Sequence, residues 1–181
     1  MLDKQIREQI IALINREVVP AVGCTEPMCV SLCVARATET LGFCPEKITV
    51  LLSSNILKNA MGVGIPGTGM IGLPIAVALG ALVGKSEYQL EVLKDLTPET
   101  LEKGKQYING NHIDIRLKSG ITEKLYVEVR CEAEGHVATA IIAHAHTNFV
   151  FVERDGVVML DNRKPAGKEA DNDDIILDMR M

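Results

Sequence analysis

There is no tryptophan in this chain, and aromatic residues make up only 3% of its 181 positions. A core of stacked rings is thereby excluded, so the interior has to be aliphatic, filled by Ile, Val, Leu, Ala and Met. Positive charge is also scarce. The formal net charge is -5, and no stripe of Lys and Arg runs along the sequence, which argues against a nucleic-acid partner. The first residues, MLDKQIREQ, are charged and amphipathic and lack the apolar run of a signal peptide. Without that signal, the five cysteines read as reduced thiols of a cytoplasmic protein. Internal repeats, low-complexity tracts and a Walker-type phosphate loop are absent from the sequence.

What the chain does have is apolar residues, 47% of the total, enough to fold as one domain or as a core with a smaller appended unit. The longest uncharged run lies between Lys58 and Lys85 and contains Gly62, Gly64, Gly67, Gly69 and Gly72 close together around Pro66 and Thr68. Its length invites comparison with a membrane span. Seven glycines and two prolines in Asn59–Gly84, without aromatic or basic flanking belts, favour a buried segment and no membrane partner. Its second part, Leu73 to Val83, is apolar all round, as a helix buried on every side would be.

Read in order, residues 2–19 place Ile6, Ile10, Leu13, Ile14 and Val18 at helical spacing, and Val19-Pro20 ends that helix. After Gly23, the segment Cys24-Thr25-Glu26-Pro27 predicts a helix from about residue 26 to Leu41, with Thr25 as N-cap and Gly42 as the stop. Lys47–Ser53 reads as a strand delivering the chain into the glycine-rich stretch. Glu87–Leu96 predicts a short helix, and Thr97-Pro98-Glu99 opens another that closes at Asn109-Gly110. From His112 the apolar period changes to two, through Ile113, Ile115 and Leu117, then Leu125, Val127, Val129 and Cys131. His136–His144, Asn148–Glu153 and Val157–Leu160 continue the pattern, with turns at Ser119-Gly120, Glu134-Gly135 and Asp155-Gly156. The expected fold is α+β. A mainly helical part with a buried glycine-rich loop and helix spans 1–110, a small antiparallel β-sheet subdomain spans 111–160, and a charged linker spans 161–181.

Four places could carry chemistry. Cys24 sits where a helix begins, and unpaired N–H groups there favour a thiolate that could act as base, nucleophile or metal ligand. Neighbouring Glu26 would oppose that effect if it faces the sulfur, and a buried turn thiol is the plainer alternative. The glycine-rich stretch formally matches a dinucleotide fingerprint at Gly62, Gly64 and Gly67. However, Pro66 falls where a helix should already be starting and no βαβ alternation follows. It could instead be a nest of backbone donors at Gly67, Thr68 and Gly69 for a carboxylate, with the Thr68 hydroxyl added, or simply a place of close packing. Ser53, Ser54, Asn55, Lys58 and Asn59 form a polar cluster just upstream, where Lys58 and Asn59 could hold an amino acid's charged ends, although a lysine there also suits open solvent. His144 and His146 share one face of an expected strand, so a metal pair is conceivable, but a third ligand is not evident and no metal is expected in this chain. Cys29, Cys33, Cys44 and Cys131 read as structural, at core or helix-exit spacing that matches no zinc or iron–sulfur pattern.

GCTEP at 23–27, SSNILKNAMGVGIPGTGMIGLPIAVALGAL at 53–82, LEVLKDLT at 90–97 and HTNFVFVE at 146–153 together resemble the L-cysteine desulfidase family, which is related to the α-chain domain of iron–sulfur L-serine dehydratases. The resemblance covers nearly the whole chain, from Glu17 to Leu160, with the motifs in family order. It implies a lyase that splits an L-amino acid with a β leaving group into pyruvate, ammonia and sulfide (from L-cysteine) or water (from L-serine). It further implies a 4Fe–4S cluster whose open iron acts on the leaving group, and a cysteine base that corresponds to Cys24. Members of that family are longer, and their cluster ligands are cysteines in a further segment. The resemblance therefore implies an N-terminal portion that needs a C-terminal half or second subunit, and that neither binds the cluster nor turns over alone. The residues Ser53, Asn55, Lys58, Asn59, Gly67, Thr68 and Gly69 are then the expected pocket for the substrate carboxylate, by inference rather than by transfer of known roles. A non-catalytic amino-acid-binding module and a purely structural domain stand as alternatives. Cysteine and serine substrates are not separated by this sequence, and a homo-oligomer is compatible with it.

Overall fold

The computed structural model describes residues 4–17, 21, 23–110 and 112–163. The expected helix stop at Val19-Pro20, Val18 of the first apolar stripe and the linker beyond residue 163 lie outside the described residues.

Helix α1, Lys4–Glu17, forms as its spacing predicts, but Ile6 and Ile14 are 41% and 50% exposed. Helix α2, Thr25–Leu41, is instead almost wholly buried, and Gly42 ends it at φ 83 with its N–H donated to the Thr38 carbonyl. Only a residue at ease in the left-handed region closes a helix this way without strain. The N-cap is Cys24 rather than Thr25, which already has helical geometry.

Strand β1, Lys47–Leu52, buries Ile48, Val50 and Leu52 on one face. Helix α3, Ser54–Ala60, follows at once and buries Ile56 and Ala60, one turn apart. The glycine-rich stretch is not an open loop. It folds back as a hairpin of β2, Gly64–Ile65, and β3, Met70–Ile71, with Gly67 and Gly69 at positive φ in the turn between them. Nor is it buried throughout, since Gly64, Gly67, Gly69 and Ile71 are exposed.

Helix α4, Leu73–Leu82, is the buried helix its composition predicts. It packs between α2 and helix α5, Pro98–Asn109. Close approach to α2 depends on Gly80, where a Cβ would stand 2.7 Å from the Ser31 carbonyl oxygen, while the Ser31 hydroxyl donates to the Ala76 carbonyl at 2.7 Å. The expected helix over 87–96 is instead a 3₁₀ turn, Ser86–Glu91, broken by Gln89 at φ 50. Helix α5 starts where its text predicts, with Thr97 and Thr100 forming a reciprocal capping box.

Strands β4 (Ile113–Leu117), β5 (Tyr126–Ala133), β6 (His136–Ala143), β7 (Phe149–Arg154) and β8 (Val157–Asp161) follow. They form one six-stranded sheet with β1, in the order β4-β1-β5-β6-β7-β8. The sheet is mixed, because β1 runs parallel to β4 and antiparallel to β5. It is therefore larger than the antiparallel unit expected over 111–160. A strand from the helical part lies inside it, and α2 packs across β5, β6 and β7. One aliphatic core joins the two parts, from Met28 and Leu32 through Ile48, Leu73 and Leu79 to Val129 and Ile142. The class is α+β. Among the described residues no helix is long and apolar enough to cross a membrane.

Candidate functional site

Gly23 at φ +84 turns the chain into α2, and a Cβ there would overlap Cγ of Pro66 in the hairpin turn. The Gly-Cys-Thr-Glu-Pro segment is thus pressed directly against the glycine-rich hairpin. Pro27 is buried in the first turn of α2, where its missing N–H costs nothing. Cys24 and Glu26, two positions apart across the helix start, both remain partly exposed.

Their side chains meet. The Cys24 thiol donates to Glu26 Oε2 at 2.9 Å, the Thr25 hydroxyl donates to the same oxygen at 3.1 Å, and Asn59 Nδ2 of α3 donates to Glu26 Oε1 at 3.5 Å. The hydrogen bond from Cys24 is the main reason the Glu26 carboxyl is held below its usual range, with burial opposing it and His146 assisting by its charge. The converse holds for Cys24, whose thiol is pushed up by burial first and by Glu26 next. Burial first, and the adjacent carboxylate second, work against the thiolate expected at this helix start. Glu26 holds the negative charge. Its position two residues after the cysteine was the signal, but which way it points is a rotamer and not a spacing.

Of the expected pocket residues, Asn59 is brought to Cys24 through Glu26. Ser53 is not. Its hydroxyl, in a residue 2% exposed, donates to the Lys124 carbonyl at 2.9 Å and accepts from Tyr126 N–H at 3.3 Å, tying the end of β1 to the start of β5. It lies about 9 Å along α3 from Asn59, at 1.5 Å rise per residue. Asn55 is exposed and lines, with Ser53, Lys118 and Lys124, a separate cavity of about 450 Å³ against the β4–β5 connection. Lys58 is exposed beside Asn59.

Thr68 is 8% exposed, and its hydroxyl donates to the Ile65 carbonyl at 2.6 Å and accepts from Met70 N–H at 2.9 Å. It closes the hairpin turn, with its hydroxyl engaged by the backbone on both sides. Gly67 faces the Leu96 side chain, whereas Gly69 has nothing within 4 Å of where a Cβ would stand. The expected anion nest thus keeps its glycines but loses its hydroxyl.

His144 and His146 do not share a strand face, because β6 ends at Ala143. His144 is exposed at φ 71, with its N–H donated to the Leu125 carbonyl, and His146 lies in the turn that follows. Cys29, Cys33 and Cys131 are buried in the core, where Cys33 donates to the Ala140 carbonyl at 3.3 Å and burial pushes all three thiols up. Cys44 is exposed after α2. Among the described residues no three His, Cys, Asp or Glu side chains converge as metal ligands. A 4Fe–4S cluster needs several thiolates around one site, which the core-buried Cys29, Cys33 and Cys131 are not placed to present.

No family model matches this chain, and no solved structure matches it. It is 66% identical over 174 residues to a UPF0597 protein of Bacteroides fragilis, a match covering 96% of this chain and 41% of the relative. It is 68% identical over 163 residues to a UPF0597 protein of Phocaeicola vulgatus, covering 90% of this chain and 38% of that protein. A UPF0597 protein of Oleidesulfovibrio alaskensis is 49% identical over 146 residues, or 81% of this chain and 34% of the relative. The chain is therefore similar, over most of its own length, to about two fifths of a UPF0597 protein.

Proposed function

We propose that this chain carries the base-bearing, amino-acid-binding portion of an iron–sulfur lyase that releases pyruvate and ammonia from L-cysteine or L-serine, and that further polypeptide completes it. One observation carries the reading. Two segments that resemble L-cysteine desulfidase motifs, far apart in sequence, meet at the Glu26 carboxylate: Cys24 and Thr25 from the first and Asn59 from the second. Packing alone would not require three donors on one partly exposed carboxylate.

In this reading Cys24 Sγ faces the substrate and receives its Cα proton. The exposed backbone at Gly69 is the part of the hairpin open to a carboxylate. Ser53 and Thr68 hold the scaffold. The cluster belongs to the remaining polypeptide.

The test is anaerobic pyruvate release from L-cysteine and L-serine. It compares these 181 residues alone with the same residues completed by the rest of the Bacteroides fragilis relative's polypeptide and loaded with iron and sulfide. Release by the completed protein alone is expected, and no release despite full loading would overturn the proposal. The engagement of the Cys24 thiol as a donor to Glu26 favours a second reading, a non-catalytic amino-acid-binding module. In that case L-cysteine would raise the melting temperature equally in the wild type and in Cys24→Ala, and no pyruvate would form.

A further inference from the structure

The Cys24–Glu26 contact creates a difficulty for a cysteine base. A thiol that donates to a carboxylate already has its proton, and it must lose that proton before the sulfur can take another. Among the described residues, Glu26 Oε2 at 2.9 Å is the acceptor within hydrogen-bond reach of Cys24 Sγ. That oxygen also takes the Thr25 hydroxyl, and Oε1 takes Asn59, so the carboxylate is held in place from both sides.

Resting on the lyase reading above, we propose that Glu26 is the proton-holding partner of Cys24, so that the base is the pair and not the cysteine alone. The Cys24 S–H bond breaks and its proton passes to Glu26 Oε2, leaving a thiolate and a neutral carboxylic acid. The thiolate then takes the substrate Cα proton. The electrons of the Cα–H bond form the Cα=Cβ bond, and the β leaving group departs with its own bonding pair. The two residues start with one negative charge between them and end with none, matching the one proton removed from the substrate. Before that step a single negative charge is shared, so the two groups titrate as a unit. The other titratable group that acts on the pair is His146 from the β6–β7 turn, while Cys29, one turn along α2, is itself pushed up by burial and by Glu26. From α3, Asn59 is neutral and Lys58 points to solvent. From the hairpin, Pro66 is apolar.

Glu26 acts here through Cys24 as a positioning residue, and its test must read the proton rather than the fold. The rate of Cys24 alkylation by iodoacetamide, followed against pH by peptide mass spectrometry, reports the thiolate fraction in the 181-residue chain. Glu26→Gln removes the carboxylate but keeps the shape, and is expected to raise the Cys24 rate at pH 7 by about tenfold. Buried Cys29 and Cys33 should stay unmodified in the same digest, which reports folding. Reciprocally, Cys24→Ala should move the Glu26 carboxyl titration upward, read by carbon-13 resonances of labelled glutamate. A Cys24 profile unchanged within twofold in folded Glu26→Gln, or an unmoved Glu26 in Cys24→Ala, would overturn the pairing. Either result leaves the lyase reading standing with Cys24 acting alone. Absence of pyruvate from the completed enzyme, with both shifts present, would instead retire the lyase reading.

Discussion

Gly23 and Pro66 are in such close contact that no side chain fits between them. That contact seats the start of α2 on the glycine-rich hairpin and so fixes where Cys24 and Glu26 face. Gly23→Ala adds a Cβ against a ring held in a turn, at a positive φ that L residues adopt only at a cost. Gly120 has a similar φ of +76 with nothing within 4 Å, so Gly120→Ala isolates the backbone cost, about 1–2 kcal/mol. Gly23→Ala should lose about 1–3 kcal/mol more, the range for overpacking, in urea unfolding. Equal losses in the two variants would mean that the Pro66 contact yields easily.

The α2–α4 interface makes a related prediction with opposing terms. Alanine is favoured over glycine within a helix by about 1 kcal/mol, yet a Cβ on Gly80 meets backbone of α2 rather than a movable side chain. Gly80→Ala is expected to destabilise the protein by a net ~1–3 kcal/mol. A rise in stability would show that the helices can separate slightly without penalty.

Helix α5 begins on a reciprocal pair of side-chain to backbone bonds between Thr97 and Thr100, at 3.2 Å and 2.9 Å. Thr97→Ala removes one of them and leaves helix N–H groups to water. A loss of about 1 kcal/mol is expected in thermal or urea unfolding, and no change would mean that solvent serves this helix end equally well.

Much of this fold is legible because its signals are local. Gly42 and Thr97-Pro98 mark helix ends whatever surrounds them, and the period of two in β5 follows from one buried face. Helix α3 escapes notice because seven residues with two asparagines, set between a strand and glycines, carry too little periodicity. The hairpin within the glycines depends on dihedral angles at Gly67 and Gly69 that composition does not report. That β1 lies parallel to β4 is a pairing across 65 residues, which no local signal reports. At the site, Cys24 and Asn59 can be picked out by residue type. The roles of Ser53 and Thr68 cannot, because short hydroxyl side chains bond nearby backbone as readily as a ligand.

The buried thiols predict an alkaline weakness. Burial pushes Cys131 up to about 12 and raises Cys29 and Cys33 as well. Their folded values exceed the unfolded value of about 8.5, so their stabilising contribution is complete below that pH and is lost as pH climbs toward the folded values. Each thiol adds a slope of about 1.4 kcal/mol per pH unit in that window. Urea midpoints should therefore fall steeply from about pH 9 to about pH 10.5, and Cys131→Ala should flatten the slope. A midpoint independent of pH across this window would contradict the account of these cysteines as protonated core residues.

The central claim is that elimination depends on the sulfur held at the start of α2. The most direct test is the rate of anaerobic pyruvate release by the completed, iron–sulfur-loaded protein, measured side by side for wild type and Cys24→Ala with L-cysteine and L-serine. The account predicts a loss of about 100-fold or more, the usual contribution of a positioned general base, with the melting temperature little changed. A Cys24→Ala protein that releases pyruvate within threefold of wild type would contradict it.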